Sequence, residues 1–218
     1  MTERPARPRA LLFDWDNTLV DSWETIHEAL VVTFTAMGHA PWTLQETKLR
    51  VAKSLRDSFP ILFGERWEEA RQRYLDAFTA IHLERLKAIE GSAEMLSAFA
   101  AADFYLAVVS NKTGAVLRRE AEHLGWTAHF KRLVGAGDAA LDKPHAAPVQ
   151  LALAGSGIDC TQTWYVGDTA LDMECARNAG CRGVLLGARP LEDETFARFP
   201  PDLHVADCRA LEQLVREL

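Results

Sequence analysis

The feature that most constrains the fold is a short apolar run, Leu11-Leu12-Phe13, that stops at two aspartates, Asp14 and Asp16. Continuous apolar runs are typical of parallel strands covered on both faces, and open α/β sheets bind ligands at the carboxyl ends of such strands. Two carboxylates this close together repel each other unless a cation or a shared proton offsets their charge. The run therefore predicts a buried parallel strand with a candidate metal site at its end.

Four more apolar runs lie in the second half of the chain, and each stops at a polar residue or a glycine. They cover residues 104–109, 133–134, 164–166 and 183–186. Stretches with helical spacing lie at roughly 92–102, 113–125, 145–154 and 169–179. Strands that alternate with helices indicate right-handed βαβ crossovers and a parallel sheet. We therefore predict the α/β class, with a five-stranded Rossmann-like sheet in a three-layer αβα arrangement, a further edge strand at Val205 and a terminal helix at 207–217.

Residues 22–88 interrupt this alternation, because they show helical periodicity and no convincing strand. Helix-start and helix-stop signals divide the segment into four helices. These signals are Ser22 and Gly38 for the first helix, residues 41–43 for the second, Ser54 for the third and the span 67–86 for the fourth. We therefore predict a Rossmann-like core of residues 1–21 and 89–218, with residues 22–88 inserted as a helical cap.

Charge and apolar content exclude several function classes. The chain of 218 residues has a formal net charge of −7, which argues against broad affinity for nucleic acid or anionic lipid. No apolar stretch approaches the ~20 residues that a membrane-spanning helix needs, and the basic N-terminal segment lacks the apolar part of an export signal. The cysteines lack the spacing of a zinc site and are predicted to be free thiols: Cys160, Cys175, Cys181 and Cys208. We expect a cytoplasmic protein, a monomer or homodimer, without nucleic-acid or membrane partners.

Polar side chains follow four of the predicted strands at the point where each strand ends. They are Asp14 and Asp16, then Ser110-Asn111-Lys112, then Lys143 after a short loop, and finally Asp168-Thr169 with Asp172 beyond. Parallel topology brings these ends to one edge of the sheet. Oxygen ligands without histidine or cysteine favour a hard cation, and Mg²⁺ suits a site with few carboxylates that also receives a phosphate oxygen.

Four segments at these strand ends resemble, in order, the successive motifs of the haloacid dehalogenase superfamily. They are Asp14-Trp15-Asp16-Asn17-Thr18-Leu19, Val108-Val109-Ser110-Asn111-Lys112, Lys143-Pro144 and Gly167-Asp168-Thr169-Ala170-Leu171-Asp172. One such motif is weak evidence, but four in order over nearly the whole chain are specific. The inserted helices lie where that superfamily places its first type of cap, and the chain is similar to its phosphoglycolate phosphatase-like members.

The resemblance implies a phosphatase mechanism. Asp14 would attack phosphorus and form an aspartyl-phosphate, which divides hydrolysis into two easier steps. Asp16 would protonate the leaving oxygen and then accept a proton from the water that hydrolyses the intermediate. Similar dehalogenases and phosphonate-cleaving enzymes lack an acid at the position of Asp16. The resemblance therefore favours phosphate esters as substrates.

The resemblance also implies which residues bind the metal and the phosphate. Mg²⁺ would be held by the Asp14 side chain, the backbone carbonyl of Asp16 and Asp168, with Asp172 acting through water or as a support. The phosphate-binding set would be Ser110, the backbone of Asn111, Lys143 and Thr18, the last through its support of the loop. For each residue taken alone, a helix cap, a turn or a solvated surface position remains the alternative.

Two positions depart from the pattern of the superfamily. Asn17 stands where glycine is most frequent, and asparagine tolerates positive φ better than most residues. After Lys143, the run His145-Ala146-Ala147-Pro148 delays the second proline, so the following helix is expected to begin late. Neither departure removes a reacting group.

The substrate is expected to be a small phosphorylated metabolite, with a phosphoglycolate-like acid as the leading choice. Lys53 and Arg56 of the cap could bind a substrate carboxylate, since arginine suits bidentate contact, although a solvated helix face explains both residues equally well. Two other functions stay open at this point. A sugar-phosphate mutase would retain both aspartates, and an inactive phosphate-binding regulatory protein would retain the pocket. The second is disfavoured because Asp14 and Asp16 place negative charge next to the phosphate.

Overall fold

A computed structural model gives the positions of residues 5–187 and 196–218. The strands are β1 (Ala10–Phe13), β2 (Val20–Asp21), β3 (Lys87–Ala88), β4 (Tyr105–Thr113), β5 (Arg132–Ala136), β6 (Thr163–Gly167), β7 (Arg182–Leu186) and β8 (Leu203–Val205). Six of them form one parallel sheet in the order β5-β4-β1-β6-β7-β8, while β2 and β3 form a separate antiparallel pair. The predicted α/β class and parallel sheet are confirmed, and Val205 lies in the edge strand.

Strand β1 lies in the middle of the sheet, between β4 and β6, and its four residues are fully buried. Its side chains alternate between the two faces. Leu11 and Phe13 belong to one apolar cluster, whereas Ala10 and Leu12 belong to another. Because both faces are covered, every position of β1 has to be apolar, which explains the continuous run in the sequence.

The segment predicted to form the cap contains four α-helices between β2 and β3. They are α1 (Trp23–Ala36), α2 (Leu44–Arg50), α3 (Leu55–Phe63) and α4 (Trp67–Arg85). Their apolar faces share a cluster rich in aromatic rings, which includes Phe34, Phe59, Phe63 and Tyr74. Residues 22–88, together with Val116, therefore bury an apolar cluster that is distinct from the two clusters to which β1 contributes.

One local prediction for this segment is confirmed and one was wrong. Ser22 stands at the N-cap position of α1 as predicted, although its hydroxyl forms no hydrogen bond within the described ranges. Residues 22–88 do contain a strand, since Lys87 and Ala88 form β3 and pair with β2. A strand of two residues is too short to show the alternation by which strands are recognised in a sequence.

The remaining helices alternate with the strands of the sheet. They are α5 (Ser92–Ala101), α6 (Gly114–His123), α7 (Ala147–Leu153), α8 (Ala170–Ala179) and α9 (Cys208–Arg216). Helix α7 begins at Ala147, which agrees with the expected delay after Lys143. In the part of the chain that the structure describes, no helix is both long and apolar enough to cross a membrane.

Candidate active site

The turn after β1 places Asp14 and Asp16 at the carboxyl edge of the sheet. The backbone N–H of Asp14 still bonds to Val166 at 2.8 Å, whereas Asn17 has a φ of 63°. This left-handed region suits asparagine better than most side chains, so Asn17 preserves the turn without a glycine. Both aspartates line the same cavity.

Lys143 joins two of the predicted carboxylates. Its Nζ lies 2.7 Å from Asp14 Oδ1 and 2.7 Å from Asp172 Oδ1, and the side chain is 3% exposed. Although burial opposes the charge, the two carboxylates raise the pKa of Lys143 above its usual range. The loop that carries Lys143 is held by Asn111, whose side-chain oxygen accepts the Lys143 N–H at 3.1 Å. Lys143 is therefore a fixed cation beside Asp14.

The start of α8 positions the remaining acids. Thr169 caps this helix in a capping box with Asp172, whose Oδ2 accepts the Thr169 N–H at 3.0 Å and its hydroxyl at 2.6 Å. Gly167 leaves room for this arrangement, because a Cβ at that position would lie 2.4 Å from the Asp172 side chain. Asp168 accepts a hydrogen bond from the buried Thr18 hydroxyl at 3.1 Å.

Three buried carboxylates are close enough to share one cation. Asp14, Asp168 and Asp172 each offer an oxygen, and these oxygens lie within 4.8 Å of one another. The pKa of Asp14 is raised to about 6, because burial and the carboxylates of Asp172 and Asp16 outweigh the Lys143 cation. An all-oxygen set with excess negative charge fits Mg²⁺. Both Asp172 oxygens already accept hydrogen bonds, which suits a contact with the ion through water.

The raised pKa of Asp14 predicts how the metal-free protein responds to pH. The folded state binds this proton more tightly than the unfolded state does. The free energy of unfolding therefore falls as the pH rises from the usual pKa of 3.8 to about 6. Asp14→Asn removes that ionisation. We expect the variant to be more stable than the wild type by about 3 kcal/mol near pH 8, and by little near pH 4. Urea unfolding in EDTA measures both differences, and a difference independent of pH would contradict the prediction.

A second buried lysine lies beside Asp16, and the sequence predicted no role for it. Lys112 Nζ lies 2.6 Å from Asp16 Oδ1 and 2.7 Å from Oε2 of Glu120. Glu120 is fully buried on α6, on the same face as Val116 and Leu117. A charged residue on the apolar face of an amphipathic helix is the signal that could have identified this pair.

The cavity at the sheet edge encloses about 110 Å³, several times the ~10–15 Å³ that one water needs. Its core wall contains six of the predicted site residues: Asp14, Asp16, Ser110, Asn111, Lys143 and Asp168. The facing wall comes from residues 22–88 and is mainly apolar, with Trp23, Ile26, Val51, Leu55, Tyr74 and Phe78. Thr18 and Asp172 are not among the lining residues, and they contact the cavity through Asp168 and Lys143 respectively.

Residues 11–186 match the family model described as haloacid dehalogenase-like hydrolase. This chain belongs to that family. It is 31% identical over 194 residues to the phosphoglycolate phosphatase of Xylella fastidiosa, and the matched region covers 86% of this chain and 85% of the relative. It is 27% identical over 192 residues to the pyrophosphatase PpaX of Halalkalibacterium halodurans, with 88% and 89% covered.

The fold of this haloacid dehalogenase-like hydrolase also matches solved structures. One is the crystal structure of a predicted phosphatase from Clostridium acetobutylicum, with a TM-score of 0.84 at 22% identity over 98% of this chain and 100% of that one. The family that the four motifs predict is confirmed. With its phosphatase relatives, it identifies the chain as a phosphoric monoester hydrolase.

In this hydrolase, the two cap cations that were predicted to bind substrate lie in different surroundings. Lys53 is exposed, lines the cavity and forms no hydrogen bond or ion pair with residues of the described ranges. Arg56 is not among the lining residues, because its Nε and Nη2 each donate to Asp142 at 2.6 Å. Asp142 is 2% exposed and also accepts the Gly137 N–H at 3.0 Å. Arg56 thus ties α3 to the residue before Lys143, and Lys53 is the cap cation that faces the cavity.

Arg56→Ala is expected to lower the free energy of unfolding by about 2 kcal/mol, because it leaves the buried Asp142 carboxylate without its cation. Loss of a fully buried pair costs more, but Arg56 is 35% exposed and water can partly replace it. Lys53→Ala is the matched control, with an expected change below about 0.5 kcal/mol. Urea unfolding compares the two variants, and equal effects would show that the Arg56–Asp142 contact stabilises nothing.

Proposed function

We propose that this hydrolase is a Mg²⁺-dependent phosphatase that transfers the phosphoryl group of a small metabolite to Asp14 and then to water. The observation that carries the proposal is the position of Asp14. It is a buried carboxylate at the cavity, with Lys143 Nζ at 2.7 Å and with Asp16 lining the same cavity. A carboxylate nucleophile next to an acid divides hydrolysis into two easier displacements.

In the proposed reaction, Asp14 attacks phosphorus with Oδ2, since Oδ1 is bound by Lys143. A bond forms between Oδ2 and phosphorus while the bond to the leaving oxygen breaks, and Asp16 donates a proton to that oxygen. Asp16 then takes a proton from a water, which attacks the phosphorus of the aspartyl-phosphate. Inorganic phosphate leaves, and both aspartates return to their starting states.

Ser110, the backbone of Asn111 and Lys143 are proposed to bind the phosphoryl oxygens. Ser110 Oγ accepts the Lys112 backbone N–H at 3.2 Å, which leaves the hydroxyl proton free for an anion. The Asn111 side chain is engaged elsewhere, because Nδ2 donates to the carbonyls of Ala52 and Lys143 at 3.2 Å. Donors that are fixed before the substrate binds stabilise the charge of phosphoryl transfer.

Asp14, Asp168 and the backbone carbonyl of Asp16 are proposed to hold Mg²⁺, with Asp172 acting through water. When bound, the ion neutralises charge on the phosphoryl group and on the carboxylates. The close approach of the carboxylate oxygens and the raised pKa of Asp14 support this assignment. The Thr18 hydroxyl holds Asp168 in place, and Lys143 does the same for Asp14.

Residues 22–88 are proposed to act as a cap that closes over the substrate and sets its size. The apolar wall that this segment contributes would exclude bulk water on closure. Phosphoglycolate is the leading substrate, because a relative at 31% identity carries the name phosphoglycolate phosphatase. Lys53 is the cap cation that would meet its carboxylate, since Arg56 is bound to Asp142.

We further propose a cytoplasmic protein whose partner is a small phosphorylated metabolite rather than a nucleic acid. All four cysteines are free thiols, and reducing compartments preserve such thiols. The net charge of −7 supports the absence of a nucleic-acid partner.

Release of inorganic phosphate from a panel of compounds tests the proposal. The panel contains phosphoglycolate, a sugar phosphate, a nucleoside monophosphate, an aryl phosphate and pyrophosphate, each with Mg²⁺ and with EDTA. We expect Mg²⁺-dependent release from monoesters, with phosphoglycolate preferred. Lys53→Ala should raise KM for phosphoglycolate about tenfold and leave KM for the aryl phosphate unchanged, because only the former carries a carboxylate.

The other outcomes of the panel each contradict one part of the proposal. A preference for pyrophosphate would show that the substrate is a phosphoanhydride and not a phosphomonoester. Isomerisation of a sugar phosphate without phosphate release would identify a mutase. Phosphate binding without turnover of any compound would identify the chain as an inactive phosphate-binding regulatory protein.

A further inference from the structure

A group of buried polar side chains continues from Asp16 into the interior, and its first member, Lys112, also lines the cavity. Lys112 bridges Asp16 and Glu120, as described above, and Glu120 makes two further contacts. Its Oε2 accepts the Trp15 indole N–H at 2.7 Å, and its Oε1 lies 2.8 Å from His82 Nδ1. Lys112 is 5% exposed, Glu120 0% and His82 1%. The proposed reaction uses Asp16 and gives the other four residues no role.

Stability alone does not explain a charge at Glu120. Taking a carboxylate and an ammonium group out of water carries a penalty that their attraction only roughly offsets, so apolar residues of similar size would serve the helix as well. The neighbouring buried positions of α6 are indeed apolar, with Val116, Leu117 and Ala121. Although burial opposes it, Lys112, His82 and Trp15 hold the pKa of Glu120 below its usual range. Glu120 is therefore charged at neutral pH.

Glu120 reaches Asp16 from two directions. Its Oε2 binds Lys112, which lies 2.6 Å from Asp16 Oδ1. The same Oε2 accepts the indole N–H of Trp15, the residue that precedes Asp16. Because Asp16 Oδ1 is buried, Oδ2 is the carboxyl oxygen that can reach the cavity. Holding one carboxyl oxygen and the preceding residue limits the rotation of the Asp16 side chain.

The segment proposed as the cap reaches the same group through α4. An ionised carboxylate only accepts hydrogen bonds, so His82 on α4 donates its Nδ1 proton to Glu120. Phe78, one turn earlier on α4, has its ring centroid 4.8 Å from Lys112 Nζ and also lines the cavity. A shift of α4 would therefore change the surroundings of both Lys112 and Glu120.

We propose that Glu120 is a positioning residue for Asp16, and that His82 couples this positioning to helix α4. In this arrangement Glu120 anchors Lys112 and Trp15, and Lys112 holds Asp16 Oδ1. Asp16 Oδ2 then faces the leaving oxygen of the substrate. The inference rests on the proposed function, in which Asp16 protonates that oxygen.

Two monoesters with different leaving groups test the inference. The leaving group of 4-nitrophenyl phosphate departs without a proton, whereas the alkoxide of n-butyl phosphate needs one, and a general acid contributes roughly 10²–10⁴-fold in such a case. We expect Glu120→Gln to lower kcat/KM about 30-fold for the alkyl ester and less than about threefold for the aryl ester. Asp16→Asn should show the same bias more strongly. Arg118 lies on the same helix as Glu120, and Arg118→Gln removes its ion pair with Asp138. This control should leave both kcat/KM values unchanged.

His82 supplies a second pair of variants that remains informative if Glu120→Gln does not fold. Asparagine places a donor close to the position of Nδ1, so His82→Asn is expected to keep the wild-type ratio of the two kcat/KM values. His82→Leu removes the donor and is expected to shift the ratio in the same direction as Glu120→Gln.

Two results would overturn the inference, and they differ in what else they overturn. If Glu120→Gln and His82→Leu lower both kcat/KM values equally, or lower only the melting temperature, while Asp16→Asn keeps its ester bias, then Glu120 is structural and the proposed function stands. If Asp16→Asn itself shows no ester bias, the acid role of Asp16 fails and the inference fails with it.

Discussion

Asp14→Asn is expected to lower kcat/KM by at least about 10⁴-fold on every monoester that the wild type hydrolyses. A neutral amide is a poor nucleophile and cannot carry the phosphoryl group as an acyl phosphate, so the covalent route closes. The substitution also removes the repulsion of Asp14 with Asp172 and Asp16. Loss of activity should therefore accompany a gain in the stability of the metal-free protein, a combination that misfolding cannot produce.

Acid-quenched reactions give a direct measurement for this variant. We expect protein-bound phosphate in the wild type and none in Asp14→Asn. The control is Asp76→Asn, which changes an exposed aspartate on α4 that bonds to Gln72 at 2.7 Å, and it should keep activity within about twofold. If Asp14→Asn retains more than about a hundredth of the wild-type kcat/KM, the nucleophile is a different group.

The sheet and the cluster of acids could be predicted because local and topological signals agree. Strand β1 is buried on both faces, and that requirement is visible as a continuous apolar run. Parallel strands end at one edge, so polar residues that follow different strands meet there whatever the loops between them do. The same reasoning placed Asp14, Ser110 and Lys143 together, although they are far apart in the sequence.

The partners of the buried charges could not be predicted, because they depend on contacts distant in sequence. Lys53 and Arg56 are three residues apart, and the sequence gives both the same predicted role. Only the contact of Arg56 with Asp142, 86 positions further along the chain, distinguishes them. Glu120 lies 105 positions from Trp15, and no local sequence pattern predicts that contact. A buried charge on a helix face signals that a partner exists, but identifying the partner requires the packing of the whole chain.

Removal of divalent cations is expected to reduce kcat by about 10³-fold or more, and addition of Mg²⁺ is expected to restore it. The carboxylates of Asp14, Asp168 and Asp172 converge on a space where Lys143 contacts two of them, Asp14 and Asp172. Without an ion, a phosphate dianion would enter a region that is already negative. Activity assays after chelation, and after readdition of Mg²⁺, measure this effect. Unchanged turnover in EDTA would show that Lys143 and the hydrogen-bond donors suffice.

Asp168→Asn is expected to weaken Mg²⁺ binding, and the thermal stability of the protein reports this independently of turnover. An ion that binds only the folded state raises the free energy of unfolding by about 2.7 kcal/mol at 100 times its dissociation constant. Asp168→Asn should lose much of this gain, because it removes one charged oxygen while the Lys143–Asp14 pair remains. Asp138→Asn is the matched control, since that carboxylate pairs with Arg118 at 2.7 Å and does not line the cavity. If Mg²⁺ stabilises Asp168→Asn as much as the wild type, the ion binds elsewhere. The excess negative charge around Asp14 would then require another explanation.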